Sequence, residues 1–458
     1  MSLISINPTT GEIIQSYSEY SHSEIKKILS KSNISQTLWA KTKLEFRLDC
    51  LKQIIGNLKD NKKEYSLLIT HEMGKPLNQA KAEIEKCTTL CEYYMANAAD
   101  FLMDKNIEIK GQKSYVSIQP IGLVLGIMPW NFPFWQVFRF AVPVILSGNS
   151  AILKHASNVQ GCANAIETCF QNSGFPNGIF RNLALVGKNV SKLIEDPLIK
   201  AISITGSTPV GRIVAETAGR FLKKTVLELG GSDPYIILDD ADIDNAIDAC
   251  VNGRILNTGQ SCISAKRIIV TSKIYNDFLK GLEARLNKKI MGDPLDDVDI
   301  GPMVSEQARD ELHDQVFSSI KNGATLHLGG FIPEMKGAFY PVTMLSNVTP
   351  GMVAFDDELF GPVFVVIKAE NQNDAIDLAN RTPFGLGAAV FTSNIKNGEE
   401  LAKNSLEAGA CFVNDFVKSD PRLPFGGIKD SGYGRELSDH GMMEFVNIKT
   451  IVIKDFNK

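Results

Sequence analysis

The chain has 458 residues and a formal net charge of −4, and its composition is 44% hydrophobic and 22% charged. This composition is ordinary for a folded globular protein, and the length suits two or three packed domains rather than one core. The basic residues are spread along the chain, so its electrostatics give no reason to expect nucleic acid or an acidic membrane surface as a partner.

The eight cysteines are unevenly spaced and do not resemble a disulfide framework, which favours a reducing, cytoplasmic location. The first residues, MSLISINPTTGEII, lack the charged and then apolar regions of a signal peptide. The uncharged residues 121–138 match a membrane span in length. Because Pro129, Asn131, Pro133 and Gln136 interrupt them, they predict a strand, a turn and a helix instead.

The hydrophobic pattern predicts an α/β protein. The pattern of residues 22–101 predicts helices, because apolar residues recur every three or four positions. From 121 to 230, short apolar runs alternate with helix-like segments of about ten to fifteen residues, the pattern of βαβ units around a parallel sheet. These runs are GLVLGIM, SAILKHA, NLALVG, AISITG and TVLELGG.

A second series of strands follows Gly231, so we place a domain junction near Gly230-Gly231. Its candidate strands are YIILDD, KRIIVTS, ATLHLGG, VFVVIKA, AAVFTS and CFVND. The β-rich end, FVNIKTIVIKDF, has no partner nearby in the sequence. We expect it to complete a sheet elsewhere, for which another subunit is one candidate.

The segment NTGQSC, residues 257–262, lies between a helical run and the strand KRIIV. Its small and polar residues predict a turn at the end of an element, where catalytic groups are often placed. A Cys262 thiolate there would attack an electrophilic carbon. The alternative is a buried structural thiol, which is also our interpretation of the other cysteines, including Cys87 and Cys91.

Two polar side chains are suited to assist such a nucleophile. Glu228 ends the apolar strand in LELGG, where a carboxylate with a raised pKa would act as a general base for water. The alternative is an interdomain ion pair. Asn131 lies in PWNFPFW, at a strand-to-helix turn, and would donate its amide N–H to an oxyanion. The alternative is a helix N-cap.

The segment TGSTPVG, residues 205–211, follows the strand AISI. Glycine after a strand lets a helix N-terminus approach a phosphate, and Pro209 suits a first helical turn. The segment differs from the GxGxxG fingerprint, so by itself it does not identify a nucleotide site.

These segments occur together in the order of one family. The motifs TGST, LELGG, NTGQSC, Glu358-Leu359-Phe360-Gly361-Pro362-Val363 and Pro424-Phe425-Gly426-Gly427 resemble the aldehyde dehydrogenase superfamily, from about residue 5 to the C-terminus. The details MPWNFPFWQVFR, Lys154-His155-Ala156 and LELGGSDPYI are similar to its bacterial succinate-semialdehyde dehydrogenase branch.

The resemblance implies a three-part organisation. It predicts a Rossmann-like cofactor domain (1–101 and 121–230) and an α/β catalytic domain (231–435). It also predicts a small β oligomerisation element, built from a hairpin at 102–120 and the terminal segment 436–458. We expect a homodimer or a dimer of dimers.

The resemblance also assigns roles to residues. Cys262 would be the nucleophile, Glu228 the base that activates water, and Asn131, with the Cys262 backbone N–H, the oxyanion hole. Because CoA-acylating members tend to lack the base, Glu228 favours hydrolysis of the thioester to the free acid. The cofactor-contacting positions would be Trp130, Asn131, Lys154, Gly206, Ser207, Leu229, Glu358 at the nicotinamide ribose and Phe360 at the nicotinamide.

Cofactor choice depends on Lys154 and Ser157. In many NAD-preferring relatives a Glu occupies the position of Ser157 and would repel a 2′-phosphate. Here a small hydroxyl replaces it, and Lys154 supplies a positive charge. We therefore predict NADP as the preferred cofactor and NAD as the alternative. If Ser157 is only a tolerant surface residue, the preference does not follow.

The spacing of Asn131, Trp135 and Arg139 bears on the choice of substrate, because it predicts that the three residues share one helix face. Trp135 would wall the substrate tunnel, and the Arg139 guanidinium would bind a distal carboxylate, as in succinic semialdehyde. The alternative is that Arg139 binds an internal acidic partner. Ser261 and Ser419 are further candidates to contact the same carboxylate.

Two rival interpretations are weighed against this one. A cysteine hydrolase or acyltransferase would need a histidine base near Cys262, whereas only His155 of the six histidines lies in a motif. A protein that has lost catalysis would not be expected to keep Cys262, Glu228 and Asn131. No His, Cys and Asp cluster has metal-ligand spacing, so we predict no metal.

Overall fold

The computed structural model describes residues 3–454. The predicted range 436–458 runs past this limit, so its residues 455–458 lie outside the described residues. The chain begins with an antiparallel hairpin, β1 (Leu3–Ile6) and β2 (Ile13–Tyr17). The helices predicted for 22–101 follow as α1 (His22–Trp39), α2 (Leu44–Asp60), α3 (Lys62–Met73) and α4 (Leu77–Leu102).

Helix α4 contributes one face to the interior of the molecule. Cys87 and Cys91 lie on that face and are fully buried, in agreement with a structural role. The buried carboxylate of Glu83 and the half-buried Lys86 lie on the same helix. A hairpin of β3 (Lys105–Ile109) and β4 (Gln112–Pro120) follows it.

A parallel sheet then forms from βαβ units. Its strands are β5 (Leu123–Met128), β6 (Ser150–His155), β7 (Phe180–Asn182), β8 (Ile199–Thr205) and β9 (Lys224–Glu228), in the spatial order β9–β8–β5–β6–β7. The connecting helices are α5 (Trp135–Leu146), α6 (Gln160–Asn172), α7 (Val190–Glu195) and α8 (Thr208–Arg220). Because β5 lies between β6 and β8, the chain passes to both sides of β5, which leaves a crevice at the carboxyl ends of the strands.

A second sheet begins after Gly231. Its strands are β10 (Asp233–Ile237), β11 (Ala265–Thr271), β12 (Thr325–Leu328), β13 (Thr343–Ser346), β14 (Val363–Ala369), β15 (Gly387–Phe391) and β16 (Ala410–Val413). Their spatial order is β12–β13–β14–β11–β10–β15–β16, and only the β12–β13 pair is antiparallel. The helices of this part are α9 (Ile243–Ile255), α10 (Tyr275–Leu286), α11 (Glu306–Lys321), α12 (Val353–Asp356), α13 (Gln372–Asn380) and α14 (Ile395–Glu400).

The C-terminal segment joins both earlier parts of the chain. The short strand β17 (Gly432–Tyr433) extends the first sheet by pairing antiparallel with β9. Helix α15 (Ser438–Met443) follows, and β18 (Val446–Ile453) pairs antiparallel with β4. The predicted terminal strand therefore has its partner within the same chain, and the sheet β18–β4–β3 leaves an edge of β18 open.

The structure differs from the predicted elements at β7 and in the strands β1, β2, β13 and β17, which were not predicted. The run NLALVG was expected to be a strand, but β7 ends at Asn182 and the buried Leu183 and Leu185 pack beside the sheet without extending it. Strand β13 was not predicted, although it lies between β12 and β14. The boundaries of the three predicted domains stay a prediction.

The segment 121–138 forms β5, a turn and the start of α5, as its interrupting polar and proline residues predicted. No helix between residues 3 and 454 is long and apolar enough to cross a membrane. All residues of α5 are buried, because the helix packs between α4 and the strands β5 and β6. The first turn of α5 is therefore held from several sides, next to the crevice.

Candidate active site

Two cavities meet at Cys262. The larger cavity, of about 290 Å³, is lined by residues that include Trp130, Asn131, Gly206, Leu229 and Phe360. The smaller cavity, of about 70 Å³, is lined by residues that include Lys86, Trp135, Arg139, Ser261 and Ser419. Cys262 and Gln136 line both cavities. The same thiol can therefore be reached from either cavity.

The loop before Cys262 adopts a backbone conformation that side chains rarely take. Asn257 and Thr258 have φ values of 55° and 56°, which is unusual for a β-branched residue and costs of the order of 1–3 kcal/mol. Neighbouring groups hold it: Thr258 Oγ1 accepts from the Gly301 N–H at 3.1 Å. Gln260 Oε1 accepts from the Val304 N–H at 2.9 Å. Hydrogen bonds to residues outside it thus hold the nucleophile loop, residues 257–262, in this conformation.

Two glycines allow motifs that are separate in the sequence to pack closely together. A Cβ at Gly259 would lie 2.2 Å from the Gly361 carbonyl oxygen, so NTGQSC can pack against ELFGPV only with glycine there. A Cβ at Gly231 would lie 2.7 Å from the Cys262 carbonyl oxygen. The LELGG motif therefore lets β9 end directly against the nucleophile loop.

The buried ammonium group of Lys266 stabilises the backbone of the nucleophile loop at Cys262. Lys266 Nζ donates to the carbonyl oxygens of Ser261 at 2.9 Å and Cys262 at 2.7 Å, and it forms an ion pair with Glu358 Oε1 at 2.9 Å. Burial raises the pKa of the half-buried Cys262 thiol to about 11, while the charges of Lys266 and Arg139 act to lower it and that of Glu358 to raise it. The thiol is therefore mostly protonated at neutral pH when no ligand is bound.

Hydrogen bonds at both its oxygen and its nitrogen orient the side-chain amide of Asn131. Its Oδ1 accepts from Gln136 Nε2 at 3.0 Å, so its Nδ2 faces the nucleophile loop and donates to the Gln260 carbonyl oxygen at 3.0 Å. Asn131 is not a helix N-cap, because α5 begins at Trp135. For the same reason Asn131 lies in the turn before the helix and does not share a helix face with Trp135 and Arg139.

The helix α5 is capped by a carboxylate that sequence reasoning missed. Glu83 Oε1 accepts from the backbone N–H groups of Phe134 at 2.9 Å and Trp135 at 3.0 Å. Its other oxygen forms a buried ion pair with Lys75, whose Nζ donates to the Asn131 carbonyl oxygen at 2.9 Å. Charge and hydrogen bonds thus fix the turn that carries Asn131.

Glu228 is buried, and neither of its carboxylate oxygens has a hydrogen-bond partner within residues 3–454. Burial raises its pKa well above the usual range, the nearby charge of Glu436 raises it further, and Arg139 acts to lower it. Leu229 and Gly230 line the larger cavity, but Glu228 lines neither cavity. Its side chain lies on the side of the site where Arg139 and Glu436 pair.

Arg139 lines the smaller cavity, yet it has an internal acidic partner. Its guanidinium forms an ion pair with Glu436, both side chains being at most 4% exposed, and lies 4.6 Å from the centre of the Phe425 ring. The Arg139 Nη2 atom also donates to Thr205 Oγ1 at 3.4 Å. The ion pair with Glu436 is the internal acidic partner that the sequence left open as the alternative, and Arg139 also lines the smaller cavity.

The predicted cofactor residues fall into two groups. Trp130, Asn131, Gly206, Ser207, Leu229, Glu358 and Phe360 line the larger cavity. Lys154 and Ser157 do not line it; they lie at the carboxyl end of β6, next to β5. The Lys154 side chain is 8% exposed, has no hydrogen-bond or ion-pair partner among the described residues, and burial lowers its pKa to about 8.

Four groups of the site were not found from the sequence: Lys86 and Gln136 in the cavity walls, Lys266 below Cys262, and the Lys75–Glu83 pair. Gln136 and Lys266 lie within five residues of residues that were found, so the motifs offered a signal for them. Lys86 and the ion pair come from the helical N-terminal region, where nothing in the spacing distinguishes them from surface charges.

Comparison with known proteins decides the family. The model of the aldehyde dehydrogenase family matches residues 2–451. The chain belongs to the aldehyde dehydrogenase family. The predicted resemblance and the predicted fold class are therefore confirmed.

Curated relatives are similar over their whole length. A probable succinate-semialdehyde dehydrogenase of Synechocystis sp., named for NADP(+), is 43% identical over 99% of this chain and 100% of its own. A succinate semialdehyde dehydrogenase of Escherichia coli, named for NAD(P)+, is 43% identical over 98% of this chain and 97% of its own. The crystal structure of succinic semialdehyde dehydrogenase from Streptococcus pyogenes with NADP+ has a TM-score of 0.96 at 35% identity, covering 99% of this chain and 100% of that one.

The cysteine hydrolase interpretation finds no support in the geometry. No histidine lines either cavity. His155 is fully buried, both its ring nitrogens lie near backbone carbonyl oxygens, and burial lowers its pKa to about 4. Between residues 3 and 454 no group of three or more His, Cys, Asp or Glu side chains has the arrangement of a metal site. The absence of a metal stays a prediction.

The charges around Cys262 predict two variants with opposite effects on its reactivity. Lys266→Met removes a cation that lowers the thiol pKa, so alkylation of Cys262 by iodoacetamide at about pH 9 should slow roughly threefold or more. Glu358→Gln removes an anion that raises this pKa, so the same reaction should accelerate. The rates are measured by peptide mass spectrometry without cofactor.

Two controls define the signal in that experiment. Cys262→Ser should abolish it, whereas Cys411→Ser, which removes the other incompletely buried thiol, should leave it unchanged. A change in the same direction for Lys266→Met and Glu358→Gln would contradict the electrostatic account.

Proposed function

We propose that this aldehyde dehydrogenase oxidises succinic semialdehyde to succinate, with NADP as the preferred cofactor and NAD as the alternative. The observation that carries the proposal is the position of Cys262 between a larger cavity of about 290 Å³ and a smaller one that contains cationic side chains. The names of the Synechocystis and E. coli relatives support the same substrate. The alternative is another small aldehyde, oxidised by the same mechanism.

The first chemical step is addition of the Cys262 thiolate to the aldehyde carbon, which places negative charge on the carbonyl oxygen. The Asn131 Nδ2 group and the Cys262 backbone N–H are the donors for that oxygen. Because Gln136 and Gln260 fix the Asn131 amide, this donor is preorganised and needs no reorientation during the step.

The residues around the larger cavity fit a nicotinamide dinucleotide. Helix α8 begins after Ser207 with its first backbone N–H groups facing no side-chain cap, which suits a phosphate. Lys154 is a buried cation without a carboxylate partner in the part of the chain that the structure describes, which suits a 2′-phosphate. When bound, the nicotinamide accepts the hydride that the substrate carbon loses.

The last step is hydrolysis of the thioester on Cys262. Glu228 takes a proton from water, the water oxygen bonds to the acyl carbon, and the Cys262 sulfur leaves as thiolate. Because Glu228 lines neither cavity, this step requires its side chain to rotate from its place beside Glu436. Its raised pKa also means that deprotonation of Glu228, and with it hydrolysis, is favoured as pH rises.

The assembly and the location belong to the same proposal. Strand β18 has an open edge and exposes Ile448 and Val452, which suits pairing with a second copy of the chain in a homodimer or a dimer of dimers. We propose a cytoplasmic enzyme, in keeping with eight cysteines that form no disulfide within the described residues.

The function is tested by initial rates of cofactor reduction with two aldehydes and two cofactors. Succinic semialdehyde should be turned over with a higher kcat/KM than butanal, which has the same carbon chain length but no carboxylate, and NADP should give a higher kcat/KM than NAD. Preference for butanal would remove the substrate assignment, and equal rates with both cofactors would remove the NADP preference. No reduced cofactor with any aldehyde would contradict the function itself.

A second experiment isolates the role of Glu228. Glu228→Gln should release one equivalent of reduced cofactor per subunit in a burst and then turn over about 10²–10³-fold more slowly, because the acyl group stays on Cys262. Rapid-mixing absorbance and the mass of the acylated protein measure both parts. Glu399→Gln, at an exposed position of α14, is the control and should behave as wild type. Loss of the burst itself would assign Glu228 to an earlier step.

The cofactor preference is tested at Ser157. Ser157→Glu should lower kcat/KM for NADP about 10- to 100-fold more than for NAD, because the new carboxylate would repel the 2′-phosphate. Ser157→Ala is the matched control and removes the hydroxyl without adding charge. An equal loss with both cofactors would mean that residue 157 does not face the 2′ position.

A further inference from the structure

One buried titratable group takes no part in the proposed reaction, His155 at the end of β6. It is the only one of the six histidines that is fully buried. Its Nε2 atom lies 2.9 Å from the Pro133 carbonyl oxygen. Its Nδ1 atom lies 3.0 Å from the Ala156 backbone nitrogen and 3.2 Å from the Met128 carbonyl oxygen. The ring therefore connects two segments that border the site, the end of β6 and the turn between β5 and α5.

The neighbours of the His155 ring determine which of its nitrogens carries the hydrogen. The Ala156 backbone N–H can only donate, so Nδ1 accepts from it and carries no hydrogen. The hydrogen is then on Nε2, which donates to the Pro133 carbonyl oxygen. Burial lowers the pKa of the ring to about 4, while the Pro133 and Met128 carbonyl oxygens act to raise it and the charge of Lys154 acts to lower it. The ring is therefore neutral at physiological pH and donates one hydrogen bond, to Pro133.

Three donors hold the carbonyl groups of the turn that carries Asn131. Lys75 and Asn257 donate to the Asn131 carbonyl oxygen at 2.9 Å and 2.8 Å, and His155 donates to that of Pro133, two residues later. Lys75 lies between α3 and α4, and Asn257 lies in the nucleophile loop. His155 comes from the sheet whose strand ends carry the expected cofactor residues. Its hydrogen bond therefore links the oxyanion turn to the cofactor side of the site.

The loop 154–157, which contains His155, is fixed on its other side by helix α6. Gln160 Nε2 donates to the Ala156 carbonyl oxygen at 2.9 Å. The buried carboxylate of Glu72 accepts from two backbone N–H groups in the first turn of α6, at 2.9 Å each. Because both ends of this path are held, a shift of the loop reaches the turn through the imidazole ring.

We propose that His155 is a positioning residue that sets the turn carrying Asn131 and the loop carrying Lys154 and Ser157 in one fixed arrangement. This inference rests on the proposed function, because it concerns an oxyanion donor at Asn131 and a cofactor phosphate at residues 154–157. A cofactor held at the loop and a carbonyl oxygen held at Asn131 are thereby placed relative to each other. Hydride transfer requires this, since reacting atoms must come within about 3–3.5 Å in the correct orientation.

His155 acts through Pro133 and does not contact the reacting atoms. It lines neither cavity, and its low pKa leaves it without a proton to exchange near neutral pH. A role as acid or base therefore predicts a change in the pH profile when the ring is replaced, whereas a positioning role predicts the same profile with a lower rate.

Two variants of His155 place an amide at different distances along the side chain. The His155→Gln amide reaches the position of Nε2 and donates to Pro133, whereas the shorter His155→Asn amide reaches only the position of Nδ1. His155→Asn should lower kcat about 10- to 100-fold with succinic semialdehyde and with butanal, and change KM for either much less, because the oxyanion forms only after the aldehyde is bound. His155→Gln should recover most of kcat. His22→Gln, at an exposed position, is the control and should match wild type.

The cofactor side is measured without turnover, by calorimetric titration with NADP and with NAD. His155→Asn should raise Kd for NADP about three- to tenfold more than Kd for NAD, because the loop that faces the 2′-phosphate loses its support. His155→Gln should restore the ratio of the two Kd values. An unchanged ratio in His155→Asn would overturn the proposal, since His155 would then hold the turn alone.

A spectroscopic measurement on wild type tests the hydrogen bond itself. In protein labelled with 15N-histidine, the buried ring should stay in the neutral Nε2–H form from about pH 6 to 9, and its ring hydrogen should exchange slowly with solvent. Rapid exchange would overturn the proposal, and so would a pH profile of kcat that loses an inflection in His155→Gln. Because the labelled wild type requires no variant, its exchange rate decides if His155→Asn does not fold.

The outcomes separate this inference from the proposed function. If wild type reduces no cofactor with either aldehyde, the proposed function fails, while the Kd ratios and the exchange rate still test His155. If wild type is active and His155→Asn keeps its kcat, the inference fails and the function stands. Equal losses in His155→Asn and His155→Gln would mean that the ring only fills space, which also overturns the inference.

Discussion

The catalytic turn depends on one buried carboxylate, that of Glu83. One of its oxygens accepts from the N–H groups of Phe134 and Trp135 at the start of α5, and the other pairs with Lys75, which in turn donates to the Asn131 carbonyl oxygen. The Asn257 Nδ2 atom donates to that same carbonyl oxygen at 2.8 Å. The oxyanion donor and the nucleophile loop are thus joined at one atom, and the joint is fixed to helix α4. A hydrogen bond to a charged group contributes about 1.5–3 kcal/mol, so movement of the turn, which breaks the bonds to Glu83 and Lys75, lowers stability.

Around this fixed turn the buried charges divide into paired and unpaired ones. Lys266 pairs with Glu358 and Arg139 with Glu436, so the charges that contact the reacting groups are balanced inside the protein. The half-buried Lys86 in the wall of the smaller cavity and the buried Lys154 at the carboxyl end of β6 have no carboxylate within ion-pair distance among the described residues. An uncompensated buried cation is costly to keep, and an anionic ligand group offsets that cost. The distribution of charge thus favours a substrate with a distal carboxylate in the smaller cavity and a cofactor with an extra phosphate beyond the larger one.

Local sequence rules predicted much of this architecture because the motifs sit where strands end. The alternation of short apolar runs predicted both sheets, and Glu228, Gly206 and Asn131 were singled out because each ends or follows a strand that ends at the crevice. The helix-face argument for Arg139 failed at its first step, because α5 begins only at Trp135. No local pattern predicts that Arg139 pairs with Glu436, or that Lys86 donates a hydrogen bond to Ser419, which is 333 residues away in the sequence. Such pairings are decided by how elements pack, and a lysine on a helix has the same sequence signature whether it faces water or a cavity.

The same burial that keeps the turn rigid also suppresses charge in the resting site. It raises the pKa of Cys262 to about 11 and lowers those of Lys86 and Lys154 to about 8, so near neutral pH the thiol keeps its proton, while both ammonium groups are mostly charged and lose their protons as pH rises through about 8. An anion bound at either lysine favours the protonated form, because opposite charges within a few ångströms stabilise each other. Ligand binding is therefore linked to proton uptake at the ends of the site, while the reaction needs proton loss at its centre.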